Sequence, residues 1–236
     1  MSEPLIKSAA HHAAGHRDRL RQRFLKSGAE GFQDYELLEM VLFAAIPRRD
    51  VKPLAKQLLK EFGSLSAIIG ASIADLQKVR GLSENSAVLL KTVQALTIKI
   101  LKNDMEKKPI LGSWQKLIDY CYVAMANEKR EHFRVLFLNR KNQMIADEVQ
   151  QVGTVDHTPV YPREIVRRAL ELGATAIILV HNHPSGDPSP SDSDIAMTED
   201  VIKAASALGI LVHDHLIVSQ NGHVSFKSLG LLSFTG

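Results

Sequence analysis

The sequence predicts two regions in tandem, an all-helical one and then a mixed-sheet domain of the α+β or α/β kind. Three observations carry this. Up to about residue 101 apolar residues recur at helical spacing, and no segment reads clearly as a strand. From Glu131 onward, short apolar runs interleave with one-sided helical patterns, as a sheet flanked by helices requires. Between them, Lys102-Asn-Asp-Met-Glu-Lys-Lys-Pro109 is polar and closes on proline, as a linker would. The expected domains are therefore 1–105 and 112–236.

Residues 1–15, with His11 and His12, carry no apolar period and are expected to be irregular. The arginine-rich stretch His16–Lys26 places Leu20 and Phe24 on one side of a helix. Asp34 suits an N-cap for Tyr35–Ala45, where Leu37, Leu38, Val41 and Leu42 form a stripe. Asp50 can cap Val51–Phe62, Ser64 and Ser72 open two short helices, and Ser83 opens a long one to about Leu101. In the second region Ser113 is read as the cap of a helix to about Ala126. Glu131–Leu138 and Gln143–Val152 form a hairpin turning at Arg140-Lys-Asn142. Pro162 starts a helix that Gly173 ends. Ala174–Val180 is a buried strand, Ser191–Leu208 a helix, and Ile210–Val218 and His223–Phe226 closing strands.

Hydrophobic residues at 45% and charged residues at 23% fit a globular chain of 236 residues. No apolar run is long enough for a membrane span, and no signal-peptide core follows the first residues. The single cysteine, Cys121, excludes an internal disulfide and reads as a small core residue. A cytoplasmic location without membrane contact is the expectation. Net charge is +3, unevenly spread: residues 1–110 hold 18 Lys/Arg against 12 Asp/Glu, and residues 111–236 hold 11 against 14. A basic first half permits an anionic partner without establishing one. No interface signal indicates an oligomeric state.

The chemistry concentrates in His181-Asn-His-Pro-Ser-Gly-Asp-Pro-Ser-Pro-Ser-Asp-Ser-Asp194. Residues i and i+2 of a strand share a side, so His181 and His183 face one way at the strand's exit. The Pro/Gly/Ser loop can return the chain so that Asp194 joins them. Two His and one Asp with an open fourth position is a ligand set for a catalytic zinc ion. Ser191 and Asp194 also form a helix capping box, which would by itself explain both. His213-Asp-His215 is a second such pair, without a spaced carboxylate. Packing, or support of the zinc ligands from behind, is its expected role. Asp187 would close the site as a fourth ligand and is left out. Arg163 and Glu164 open a helix.

His181-x-His183-Pro…Ser191-x-x-Asp194 resembles the JAMM (MPN+) metalloprotease motif, and the wider His-Asn-His-Pro-Ser-Gly string resembles the RadC family within it. Tyr161-Pro-Arg-Glu-Ile165 and Asp214-His215 are similar to that family too. The resemblance covers residues from about 112 to the end, and extends more weakly through the helical half. It implies a cytidine-deaminase-like mixed sheet flanked by helices. It also implies a zinc-dependent peptidase or isopeptidase acting on a protein or peptide. The family pattern includes an upstream glutamate as general base. Glu131, directly before the strand Phe133–Leu138, is favoured because Glu131-His-Phe133 fits the family's Glu-x-Phe, with Glu128 as its competitor. In this scheme zinc lowers the pKa of water toward about 7. Glu131 then takes a proton as water attacks the carbonyl. The resemblance implies that Ser191 donates to the oxyanion.

In the helical half, Val79-Arg-Gly-Leu-Ser83 resembles a helix-hairpin-helix turn, which binds nucleic-acid phosphate through backbone amides. Gly81 occupies the first glycine position and Ser83 replaces the second, with Lys78, Arg80 and Lys91 nearby. The alternative function is therefore a repair or recombination accessory protein whose helical domain contacts duplex DNA.

Overall fold

A computed structural model describes the backbone of residues 4–153 and 160–232, and side chains from Gly15 onward. The chain divides into two compact units, Met1–Ala95 and Leu96–Gly236.

The first unit holds α1 (Pro4–Ser27), α2 (Asp34–Ala45), α3 (Lys52–Phe62), α4 (Leu65–Gly70), α5 (Ile73–Leu76) and the start of α6 (Glu84–Lys107). The segment expected to be irregular is thus helical from Pro4. The side chains of His11 and His12 lie outside the described residues. Leu38 and Leu42 of α2, Leu58 of α3, Ile68 of α4 and Leu90 of α6 meet in one core. Ser64 and Ser72 cap α4 and α5 through the amides of Ala67 and Asp75. Gln33, not Asp34, is the N-cap of α2, and its amide donates to Glu36 Oε2 at 3.0 Å. Arg17 is buried: it donates to the carbonyls of Ile46 and Arg49, each at 2.5 Å, and lies 4.6 Å from the Phe43 ring centroid.

The stretch read as a linker is helical up to Lys107. The reason is a face the polar composition hides: Ile98, Leu101 and Met105, spaced i, i+3, i+7, pack into the core of the second unit. That unit continues with a 3₁₀ turn (Ile110–Ser113), α7 (Trp114–Met125), β1 (His132–Leu138), β2 (Met144–Val152), α8 (Pro162–Leu172), β3 (Ala176–Asn182), α9 (Asp192–Ser206), β4 (Leu211–Ser219) and β5 (Gly222–Ser225). Ser113 does not cap α7; its hydroxyl donates to the Pro109 carbonyl at 3.2 Å. Gly173 ends α8 in the left-handed region at φ 65°, as its position after the last apolar residue predicted.

The sheet runs β2-β1-β3-β4-β5, mixed because only β3 and β4 are parallel. α7 covers one face through Leu117, Tyr120 and Cys121, against Leu136, Ile178, Val180 and Leu216. α8 and α9 cover the other through Ile165, Ala169, Val201 and Ala205, against Val135, Phe137, Ile177 and Leu179. β3 is central and buried at every residue, which is why it reads as an unbroken apolar run. Its side chains alternate between the two cores. His181, two residues after Leu179, therefore exits on the face that α9 covers. No described helix is long and apolar enough to cross a membrane. Cys121 is buried, with its thiol pushed up to about 12 by desolvation, consistent with a core role.

Candidate metal centre

β3 delivers His181 fully buried, its ring stacked on Phe133 of the neighbouring strand at 6.2 Å between centroids. Parallel pairing runs on past the strand's end, with the His183 amide donating to the Val218 carbonyl at 2.9 Å. This keeps the extended geometry that puts both imidazoles on one side. The chain then turns: the Gly186 amide donates to the His183 carbonyl at 3.1 Å, and Gly186 takes φ 90°. The Ser219 hydroxyl on β4 holds the Gly186 carbonyl at 2.9 Å. The loop ends at Ser191, the N-cap of α9. There the Ser191 amide donates to Asp194 Oδ2 at 2.8 Å, and the Asp194 amide to Ser191 Oγ at 3.2 Å.

His181, His183 and Asp194 converge: one ligand atom from each lies within 4.8 Å of the others. His181 Nε2 is 2.9 Å from His183 Nε2 and 3.3 Å from Asp194 Oδ1; His183 Nε2 is 3.5 Å from Asp194 Oδ2. The other nitrogen of His183, Nδ1, faces the Asp187 carbonyl at 2.8 Å. A carbonyl only accepts, so Nδ1 carries the hydrogen and a neutral His183 turns an Nε2 lone pair inward. Burial holds His181 neutral, its pKa brought down to about 4. His183 is shifted the other way: burial opposes its charged form, but Asp194, the Asp187 carbonyl and Glu131 together raise its pKa. Burial works against the Asp194 charge, yet His183, His181 and Ser191 hold the carboxyl well below the usual carboxylate range. Electron-pair donors crowd a small, largely buried space, and a cation or a proton relieves their repulsion. The nitrogen and carboxylate set suits a divalent transition metal.

The charge of Glu131 acts on His183, whereas that of Glu128 acts on His132. Glu131 is half-buried, and its carbonyl receives the Gly153 amide at 2.8 Å. The Ser191 hydroxyl is directed at Asp194 Oδ2, 2.6 Å away. Asp187 stays out of the cluster, its Oδ1 accepting the Ser189 amide at 2.9 Å. His213 and His215 do not come together. A bulge in the β3–β4 ladder falls at His213, which lies 2.7 Å from Asn142 Oδ1, while His215 turns inward to His181. Sequence reasoning missed two residues, Asn182 and Thr198. Asn182 ties the Glu128–His132 segment to β3, and Thr198 backs His215. A capable hydroxyl four residues after Asp194 in a helix was the only signal for Thr198.

The model of the RadC-like JAB domain matches residues 111–231, and that of the UPF0758 N-terminal domain matches residues 12–88. The chain belongs to the RadC family. Its RadC-like JAB domain places it in the JAMM-like superfamily of metal-dependent hydrolases, and the His-His-Asp cluster is the position at which such a domain could hold its ion. A cavity of about 320 Å³ beside β2 and α8, lined among others by Glu148, Gln151, Tyr161 and Arg168, contains none of the three ligand candidates.

Proposed function

We propose that this RadC-family chain is a zinc-dependent hydrolase of amide bonds, a peptidase or isopeptidase. The observation that carries the proposal is the convergence of His181 Nε2, His183 Nε2 and an Asp194 carboxylate oxygen. His181, His183 and Asp194 would hold the ion, as a three-ligand catalytic set does. When bound, zinc supplies Lewis acidity that brings the pKa of water toward about 7. Glu131 accepts the proton at its carboxylate as water attacks the carbonyl carbon, and returns it to the leaving amine. Ser191, turning its hydroxyl from Asp194, donates to the developing oxyanion.

Duplex DNA contact by the helical unit has weaker support. Arg17 turns inward onto the carbonyls of Ile46 and Arg49, and the exposed Arg49 donates to the Gly81 carbonyl at 2.5 Å. Arg23 pairs with Glu36 at 2.5 Å, and Lys91 reaches the carbonyls of Ile69 and Gly70 at 3.2 and 3.3 Å. The Arg49 guanidinium also fills the space beside Gly81 at the turn, 3.2 Å from where a Cβ would stand.

Elemental analysis of chain purified without chelators tests the main reading. Equimolar zinc, abolished by His181→Ala and His183→Ala and retained by Glu131→Gln, is the expected result. Chain that takes up no zinc when metal is supplied overturns it.

A further inference from the structure

We infer that Thr198 and His215 fix the tautomer of His181 and so present its Nε2 lone pair to the metal position. The inference rests on reading His181 as a ligand. The hydrogen-bond chain behind His181 starts at an atom that has no hydrogen to give. Thr198 Oγ1 lies 2.6 Å from the backbone carbonyl of Asp194, one helical turn back. A carbonyl only accepts, so the single hydroxyl hydrogen of Thr198 points there. The same Oγ1 lies 2.6 Å from His215 Nδ1. With its hydrogen committed, Oγ1 can only accept, and His215 Nδ1 must carry the hydrogen.

His215 is fully buried, its ring 5.8 Å from that of Phe133 and 4.5 Å from that of Phe226. A neutral imidazole has one N–H, so Nε2 of His215 is a lone pair. That lone pair faces His181 Nδ1 at 2.8 Å. His181 must donate from Nδ1, and its Nε2, the atom nearest His183 and Asp194, is left bare. The opposite polarity needs two oxygens at 2.6 Å with no hydrogen between them. It would also put an N–H at His181 Nε2, where a metal could not bind. The relay begins at the carbonyl of one ligand, Asp194, and ends at the ring of another, His181. Thr198 and His215 act through His181 and are positioning residues.

Long-range proton–nitrogen correlation spectra of the zinc-free full chain read the tautomers directly. Both His181 and His215 are expected as Nδ1–H forms. Chelator competition with Zn²⁺ reads the consequence: Thr198→Val weakens binding about 10–100-fold, and Thr198→Ser, which restores the hydroxyl, binds close to the unaltered chain. His181 found as the Nε2–H tautomer, or Thr198→Val binding Zn²⁺ as tightly as the unaltered chain, overturns the inference. Should Thr198→Val not fold, the spectra of the unaltered chain and the affinity of Thr198→Ser decide. If the unaltered chain shows both Nδ1–H tautomers and binds no Zn²⁺, the relay stands and the metal reading falls.

Discussion

Asn182 Oδ1 accepts the backbone amide of His132 at 2.8 Å, joining the residue between the two site histidines to the residue after Glu131. The other half of the amide donates to the carbonyls of Glu128 and Arg130 at 3.2 and 3.1 Å. Asn182 is fully buried and points away from its two histidine neighbours, as alternate strand residues do. It is thus a clip that holds the entry to β1, and with it Glu131, against β3.

Asn182→Ala should therefore loosen the Glu131 segment without removing a ligand. Loss of these buried bonds is expected to cost about 1–3 kcal/mol. Amide exchange should quicken at His132 and at Gly153, whose amide donates to the Glu131 carbonyl, while bound zinc stays equimolar. Unchanged exchange at both amides would show that other contacts hold the segment.

The convergence of His181, His183 and Asp194 was legible in the sequence because its information is local. One strand's alternation places His181 beside His183, and one loop and one capping box bring Asp194 back. The relay behind His181 was not, because it depends on which residue of β4 stands beside β3. The bulge at His213 sets that register, with Leu179 opposite His215. Nothing in the spacing of β4 announces the bulge. The linker was misplaced for a related reason. Glu106, Lys107 and Lys108 are exposed, and the three residues that make Leu96–Lys107 helical are too sparse to register as a stripe until a sheet is there to receive them. Whether an interdomain segment is helix or linker is then a tertiary fact.

Gly186→Ala tests the loop. At φ 90° an alanine is strained, and its Cβ would stand 2.9 Å from Asn221 Nδ2. The side chain of Asn221 can give way, so backbone strain dominates, at about 1–3 kcal/mol. The Asp187 carbonyl that orients His183 lies next in the chain. We expect a lower Tm together with weaker Zn²⁺ binding in chelator competition. A lower Tm with unaltered zinc affinity would separate the loop's fold from its hold on His183.

Glu131→Gln and Glu128→Gln should differ sharply. On any amide substrate that the chain cleaves, Glu131→Gln is expected to lower kcat by about 10²–10⁴-fold with KM little changed. Glu128→Gln should stay near the unaltered rate. The reverse ranking would move the proton-accepting role to Glu128.

Arg17 belongs to the interior of the helical unit. Its guanidinium satisfies two carbonyls beyond the end of α2 and covers the Phe43 ring. Arg17→Ala leaves those carbonyls without their donor, and a loss of about 3 kcal/mol or more is expected by denaturant titration. Arg17→Lys should recover only part, since an ammonium lacks the planar fork. If Arg17→Ala instead unfolded like the unaltered chain and lost duplex DNA binding in a gel-shift titration, the inward role would be wrong and the DNA reading would gain.

Glu39 gives the helical unit a pH dependence whose sign is fixed by burial. The carboxyl is fully buried; its Oε2 lies 2.8 Å from His16 Nε2, and its Oε1 has no hydrogen-bond partner among the described residues. Desolvation raises its pKa above the ordinary carboxylate value, and the His16 contact only partly opposes this. The folded state therefore binds the Glu39 proton more tightly than the unfolded chain does. The stability this contributes is fully present below the unfolded pKa and is lost as pH rises through the folded one. At neutral pH the ionised group is a burden on the fold. Glu39→Gln keeps an acceptor for His16 and removes the charge, so its denaturation midpoint should exceed that of the unaltered chain at neutral pH. The gap should narrow on acidification, as Glu39 in the unaltered chain takes up its own proton. A gap that widened toward acid, or a variant less stable at every pH, would mean that the His16 contact outweighs the desolvation of the carboxylate.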